Sequence, residues 1–344
     1  MKQLLIKNVY VITMKEEKEI LFGVDILIED GIIVKIEKDI SNSNAYVIDG
    51  GNKIVLPGFI DAHMHMAMSV FRDTSDSLPL QDWLEKLTWP TEANFTEEHV
   101  YYFSKLSAIE MIENGITSGM DHYFMCEPTI QACNEENIDY VGTRCLLDID
   151  GGGEKRFQEL KELINKYGTK KINVGIHGLY TCSEEYIKRI TDYARENDYT
   201  IHMHFCENNK EVETIKKNYN VEHPSMVLEK YFYGLNLILV HCVVLDDYDI
   251  SVIKKLNASI VHCPISNLKL GCGIADINRY VNEGINVCLG TDGQGSGNNL
   301  SMINLMSTAL LLQNGIYKDP NTLSTYKMLE MATINAAKAY KKDN

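Results

Sequence analysis

The chain is short of positive charge. Lys and Arg number 33 against 48 Asp and Glu, which gives a formal net charge of −15 over 344 residues. A protein this acidic repels phosphate backbones, so nucleic acid is not an expected partner. Long apolar runs are missing too: none approaches the ~18 residues that would read as a transmembrane helix. The opening "MKQLLIKNVYVITM" is interrupted by Lys7, and it reads as a strand rather than as the apolar core of a signal peptide. No membrane partner is expected. The nine cysteines contain no Cys-x-x-Cys pair and no regular spacing. Cys206, Cys242, Cys263 and Cys288 lie inside apolar strand-like runs, where buried reduced thiols are the ordinary reading. This fits a reducing, cytoplasmic location, in which the sequon "NFT" at 94–96 carries little meaning. Low-complexity segments are also absent.

What is present is ordinary for a globular protein: 45% hydrophobic and 24% charged residues. The length exceeds the ~250–300 residues of a usual single core. Residues 1–55 read as short strands, with Asp30-Gly31 marking a tight turn between the alternating runs "VDILIE" and "IIVKIE". From residue 56 onward, apolar runs of strand length alternate with segments of helical period. Eight strand candidates follow: "VLPGFIDAHMH", "TSGMDHYF", "YVGTRCLLDID", "INVGIHGLYT", "TIHMHFCE", "NLILVHCVVL", "ASIVHCPISN" and "INVCLGTDG". Between them, helices are expected to start at Thr96 and Ser183, and to cover Ser301–Asn314 and Leu323–Tyr340. The rhythm predicts an α/β protein with a (β/α)8 TIM-type barrel over 56–344, beside a smaller layer over 1–55. A doubly wound open sheet is the main competitor.

The polar residues fall in one place. Each strand candidate is apolar until its last residues, which turn to His, Glu, Asp or Arg. Eight of the ten histidines lie at these ends: His63, His65, His122, His177, His202, His204, His241 and His262. In a parallel barrel the strand ends converge on the face where active sites sit. Core packing gives no reason to gather titratable groups there, since burying them unpaired is costly. For His122 and His262 a hydrogen-bonded core role weighs as much as a site role. The period of a strand puts residues i and i+2 on one side, so His63 and His65 can hold one ion together. A third His from the fifth strand, with Asp292, would complete a shell for a divalent metal of the zinc kind, with a position open for water. Spacing cannot separate His202 from His204. Position can: His204 stands nearer the mouth and precedes Glu207 by three residues, whereas His202 lies a layer deeper and reads as barrel filling.

The segments "PGFIDAHMHMAMSVFR", "LPLQDWLEKLTWPTEA", "HMHFCE", "HCPISNLKLGCGIADINRYVNEGINVCLGTDG" and "MATINAAKA" resemble the amidohydrolase superfamily. The closest branch is that of 5-methylthioadenosine/S-adenosylhomocysteine deaminases and related chlorohydrolases, and the likeness runs over essentially the whole chain. The resemblance implies that His63, His65, His204 and Asp292 bind the metal. It implies that Glu207 handles the ring-nitrogen proton, and that His241 assists the attacking water while Asp292 takes its proton. Glu207 and Asp292 thereby also face the substrate. Trp83, Glu92, Arg144 and His177 match positions that contact a nucleoside, with Arg156 a weaker match for a second arginine. Glu92 could grip ribose hydroxyls, since a carboxylate accepts two hydrogen bonds. Trp89 fits loop packing as well as a pocket role.

The function implied is hydrolytic deamination of an adenosine derivative: 5'-methylthioadenosine, S-adenosylhomocysteine or adenosine. The alternatives are deamination or dechlorination of another N-heterocycle (guanine, a pterin, a triazine-like ring) or an inactive truncated chain. Several features depart from the family pattern. No lysine ends the fourth strand, so a single metal is expected, Zn2+ or Fe2+. Val244 stands in "CVVL" where a second His is common, and the wall beside Asp292 reads "TDGQGSGNN". Only "YKKDN" follows the last helix, so the 1–55 layer is expected to be a β-sandwich portion whose C-terminal half is missing. The Pro-Cys-x-x-Cys motif of the other zinc deaminases is absent, which excludes that fold. A homo-oligomer is compatible with the sequence.

Overall fold

Asp30 and Gly31 both take positive φ, 48° and 87°, the backbone that a two-residue hairpin turn requires. They join β2 (Ile20–Glu29) to β3 (Ile32–Glu37) in a computed structural model that describes residues 3–17, 19–42, 44–74 and 77–342. The chain divides into two compact units, Met1–Gly58 and Phe59–Asn344.

In the first unit, β1 (Gln3–Ile12) pairs antiparallel with β2 and parallel with β4 (Tyr46–Asp49) and β5 (Ile54–Val55). Val9, Val11, Val24 and Ile26 form its buried cluster. A sandwich requires two facing sheets. The described residues of this unit supply one five-stranded sheet, in which every residue of β3 and β4 is exposed.

The second unit is built on a curled parallel sheet of TIM type. Its strands are β6 (Phe59–His65), β7 (Ile116–Tyr123), β8 (Asp139–Leu146), β9 (Ile172–Ile176), β10 (Ile201–Phe205), β11 (Leu237–His241), β12 (Ser259–His262), β13 (Asn286–Leu289) and β14 (Asp292–Gly293). Their order is β13-β12-β11-β10-β9-β8-β7-β6-β14. Each of the eight strand candidates is found, and the last is split. β13 pairs with β12 and, two residues on, β14 pairs with β6. Gly290 marks the break. A Cβ there would stand 2.8 Å from both the His63 carbonyl oxygen and Val261 Cγ1, so only glycine lets the backbones approach this closely. Asp61 pins the same seam, accepting from the Thr291 amide at 3.0 Å and from its hydroxyl at 2.5 Å.

The helices start where the sequence signals. Thr96 and His99 form reciprocal caps on Glu97–Glu113, and Gly115 follows with φ 73°. Ser183 caps Glu184–Glu196, and Ser301 caps Met302–Tyr317. The expected helix Leu323–Tyr340 is in fact two, Thr325–Met331 and Ile334–Ala339. They are separated at Thr333, whose hydroxyl bonds back to the Leu329 carbonyl at 2.6 Å. No helix among the described residues is long and apolar enough to cross a membrane.

Candidate active site

The C-terminal ends of β6, β10, β11 and the short β14 deliver the donor groups. His63 and His65 lie on β6 with their rings edge to face at 4.8 Å. His204 comes from β10, and its ring stands 4.9 Å from that of His63. Asp292, held at φ 62°, places Oδ1 3.1 Å from His65 Nε2 and 3.4 Å from His63 Nε2. The ligand-type atoms of His63, His65 and Asp292 lie within 4.8 Å of one another, and so do those of His63, His204 and His241. The two sets share His63. His241, which sequence reasoning gave only to the water, therefore stands among the donors.

Second contacts aim these groups. His65 Nδ1 lies 2.6 Å from the His122 carbonyl and His204 Nδ1 lies 2.7 Å from the His177 carbonyl, so both donate from Nδ1 and keep a lone pair on Nε2. His63 Nδ1 is 2.8 Å from His202 Nε2, and His63 Nε2, buried, meets no aligned hydrogen-bond partner among the described residues, Asp292 Oδ1 lying 3.4 Å away. Asp292 Oδ2 accepts from Ser266 at 2.5 Å and from Ser296 at 3.0 Å. Nε2 lone pairs converging with one carboxylate oxygen make a donor set that fits a single divalent metal. No lysine ends β9, where Ile176 is followed by His177. His202 lies deeper than His204, belongs to neither set of ligand-type atoms, and touches His63 through its Nε2.

Glu207 follows β10 at the rim. Its Oε2 lies 3.7 Å from His241 Nε2, and its Oε1 lies 3.6 Å from Cys272 Sγ. Burial, followed by the charges of Asp292 and Glu211, pushes its carboxyl well above the usual range against the opposing Cys272 contact. Glu211 accepts from the amides of Cys206 and Glu207 at 3.0 and 2.8 Å and so fixes this turn. Sequence reasoning missed Glu211, Cys272, Ser266 and Ser296. A carboxylate four residues after Glu207, at the first turn of a helix, was the available signal for Glu211.

A cavity of about 360 Å³ opens above these groups, lined by Trp83, Glu92, Arg144, Arg156 and His177, among others. The segment carrying Trp83 and Glu92 is a broken helix, Leu80–Trp83 and Trp89–Glu92, joined by a π-helical turn before Pro90. Trp83 is buried and its Nε1 has no hydrogen-bond partner among the described residues. Gly295 makes room for it: a Cβ there would meet Trp83 Cζ2 at 2.8 Å. Hence the unusual "GQGS" wall serves the indole. Glu92 accepts from the Tyr123 hydroxyl at 2.5 Å, and burial nevertheless pushes its carboxyl up to about 7. Arg144 is paired with Glu159 at 2.6 Å. Arg156 reaches the cavity too, held by two bonds to Asp150 at 2.7 and 2.5 Å. Trp89 is partly exposed, its ring 6.4 Å from that of His177.

A parallel α/β sheet whose strand ends gather four imidazoles and a carboxylate into two overlapping sets of ligand-type atoms is the arrangement of a metal-dependent hydrolase. The chain belongs to the amidohydrolase family, whose model matches residues 54–344. It is 37% identical over 344 residues to a 5-methylthioadenosine/S-adenosylhomocysteine deaminase of Caldanaerobacter subterraneus subsp. tengcongensis, covering 98% of this chain and 79% of that one. A 5'-deoxyadenosine deaminase of Methanococcoides burtonii is 35% identical over 346 residues, covering 98% and 80%. Among solved structures, an adenosine deaminase from Xanthomonas campestris with bound zinc superposes with a TM-score of 0.92 at 25% identity, covering 99% of this chain and 81% of that one.

Proposed function

We propose that the protein is a zinc-dependent aminohydrolase of adenosine derivatives. It would convert 5'-methylthioadenosine, S-adenosylhomocysteine, 5'-deoxyadenosine or adenosine, with one water, to the inosine analogue and ammonia. The deaminase names of two relatives, 37% and 35% identical to it over the aligned residues, support the reaction class. The observation that carries it is Glu207, a buried carboxyl at the edge of the donor set whose protonated form burial favours. Attack at C6 of an aminopurine loads negative charge onto the neighbouring ring nitrogen. A neutral carboxyl at that point has a proton to give.

His63, His65, His204 and Asp292 would hold the zinc, which when bound supplies the Lewis acidity that lowers the pKa of water. Asp292 would take the proton of the attacking water and return it to the departing amine. His241, fixed by Asn267 Oδ1 at 2.9 Å from its Nδ1, would orient that water. Glu92 would accept from ribose hydroxyls, Trp83 would lie along the base or the 5' substituent, and Arg144 and His177 would complete the nucleoside contacts. The parallel sheet is read as a complete (β/α)8 ring over 56–344, a reading supported by the pairing of β14 with β6. The 1–55 sheet is read as one layer of a sandwich. Nine free cysteines support a reducing, cytoplasmic location.

The test is ammonia release by the zinc-loaded protein from a panel of those four nucleosides and guanine, together with chloride release from a chlorotriazine. Turnover of one or more adenosine derivatives is expected. Release only from guanine, or dechlorination alone, would replace the substrate class.

A further inference from the structure

Tyr340 closes the helix Ile334–Ala339 and turns its hydroxyl into the floor of the sheet, although it is 138 residues from His202 and 278 from Ala62 in the chain. The hydroxyl oxygen is 2.8 Å from the Ala62 carbonyl and 2.5 Å from His202 Nδ1. On the far side of that imidazole, Nε2 stands 2.8 Å from His63 Nδ1. His63 and His202 are fully buried and stacked, with ring centroids 5.0 Å apart.

The protons in this chain can be counted. A carbonyl cannot donate, so the phenol proton goes to Ala62. The phenol oxygen must then accept, and His202 must carry its proton on Nδ1. No carboxylate among the described residues touches His202, and an unpaired charge at full burial is costly, so the ring is neutral. Its Nε2 is therefore a lone pair, and His63 has to donate from Nδ1. Only this combination of tautomers satisfies all three contacts, and it leaves the lone pair of His63 on Nε2, on the side of Asp292.

We propose that Tyr340 and His202 are positioning residues that set the tautomer of His63 and so present its Nε2 to the metal. The inference rests on the reading of His63 as a metal ligand. Outer-shell partners of this kind are worth about 10–100-fold in metal affinity.

The experiment measures zinc transfer from the loaded protein to a chromophoric chelator, alongside the melting temperature of the metal-free form. Tyr340→Phe keeps the ring and removes the hydroxyl; His202→Leu removes the acceptor. Both should release zinc about 10–100-fold faster, with the metal-free melting temperature of Tyr340→Phe little changed. His202→Gln offers an oxygen to the His63 Nδ1–H and should hold zinc nearly as the unaltered protein does. A second readout needs no variant. Nitrogen-15 spectra of the histidine-labelled, metal-free protein should show His63 and His202 both protonated on Nδ1. Unchanged zinc release in Tyr340→Phe and His202→Leu, or a His202 protonated on Nε2, would overturn the proposal. A protein that takes up no zinc at all would instead remove the metal reading, while the spectra would still judge the tautomers.

Discussion

Glu207 and Glu92 are two carboxyls lining the cavity that burial keeps from ionising in the ordinary range, and they should behave oppositely. Glu207 is needed with its proton. Its pKa is raised by burial, so the protonated form is lost at a higher pH than for an ordinary carboxyl, and turnover should fall on the alkaline side. Glu207→Gln should retain zinc, measured by elemental analysis, yet lose about 10²–10⁴-fold in turnover. Near-normal turnover in that variant would remove Glu207 from the chemistry. Glu92 is needed as an acceptor. Its carboxyl titrates near about 7, so below that pH it holds a proton and accepts less well. The KM for a nucleoside with ribose hydroxyls should therefore rise as pH falls below about 7. Glu92→Gln should give a KM that is poor and flat across the same range.

At the scale of elements, the seam between β14 and β6 is the most constrained joint described. Gly290→Ala forces a methyl against the His63 backbone and Val261. It should cost about 1–3 kcal/mol in urea unfolding, as overpacking of a filled core does. Removing the Thr96 cap by Thr96→Ala should cost about 1 kcal/mol. The two variants should differ in function: the first displaces His63 and weakens zinc binding, whereas the second leaves it alone. The same joints show what could be read from the residues. Strands were legible because apolar runs ending in His or Asp repeat, and caps were legible because Thr96, Ser183 and Ser301 sit one residue before a helical period. The break at Gly290 was not, since it answers to a neighbouring strand more than 200 residues away. Nor was the break at Thr333, where a side chain competes for a backbone carbonyl. The partners of His202 were not legible for a related reason: strand period gives the direction of a side chain but not the partner it meets.

For the molecule as a whole, the metal should be a stabiliser as well as a reagent. An ion that binds only the folded form adds about 2.7 kcal/mol at a hundred times its Kd. Calorimetry should show a melting temperature that rises with free zinc and drops on dialysis against a chelator. A melting temperature indifferent to zinc would contradict the donor set. The seam also fixes a timetable. His63 and His65 lie on the first strand of the sheet and Asp292 on the last, paired beside Met64. Some 230 residues separate Asp61 from the Thr291 it pins. At about 5–20 residues per second on the ribosome, that interval is tens of seconds. Through all of it the nascent chain holds His63 and His65 without Asp292. On the reading of these three as metal ligands, uptake by the full set would be a late event of synthesis, with the early histidines exposed to other ions until then.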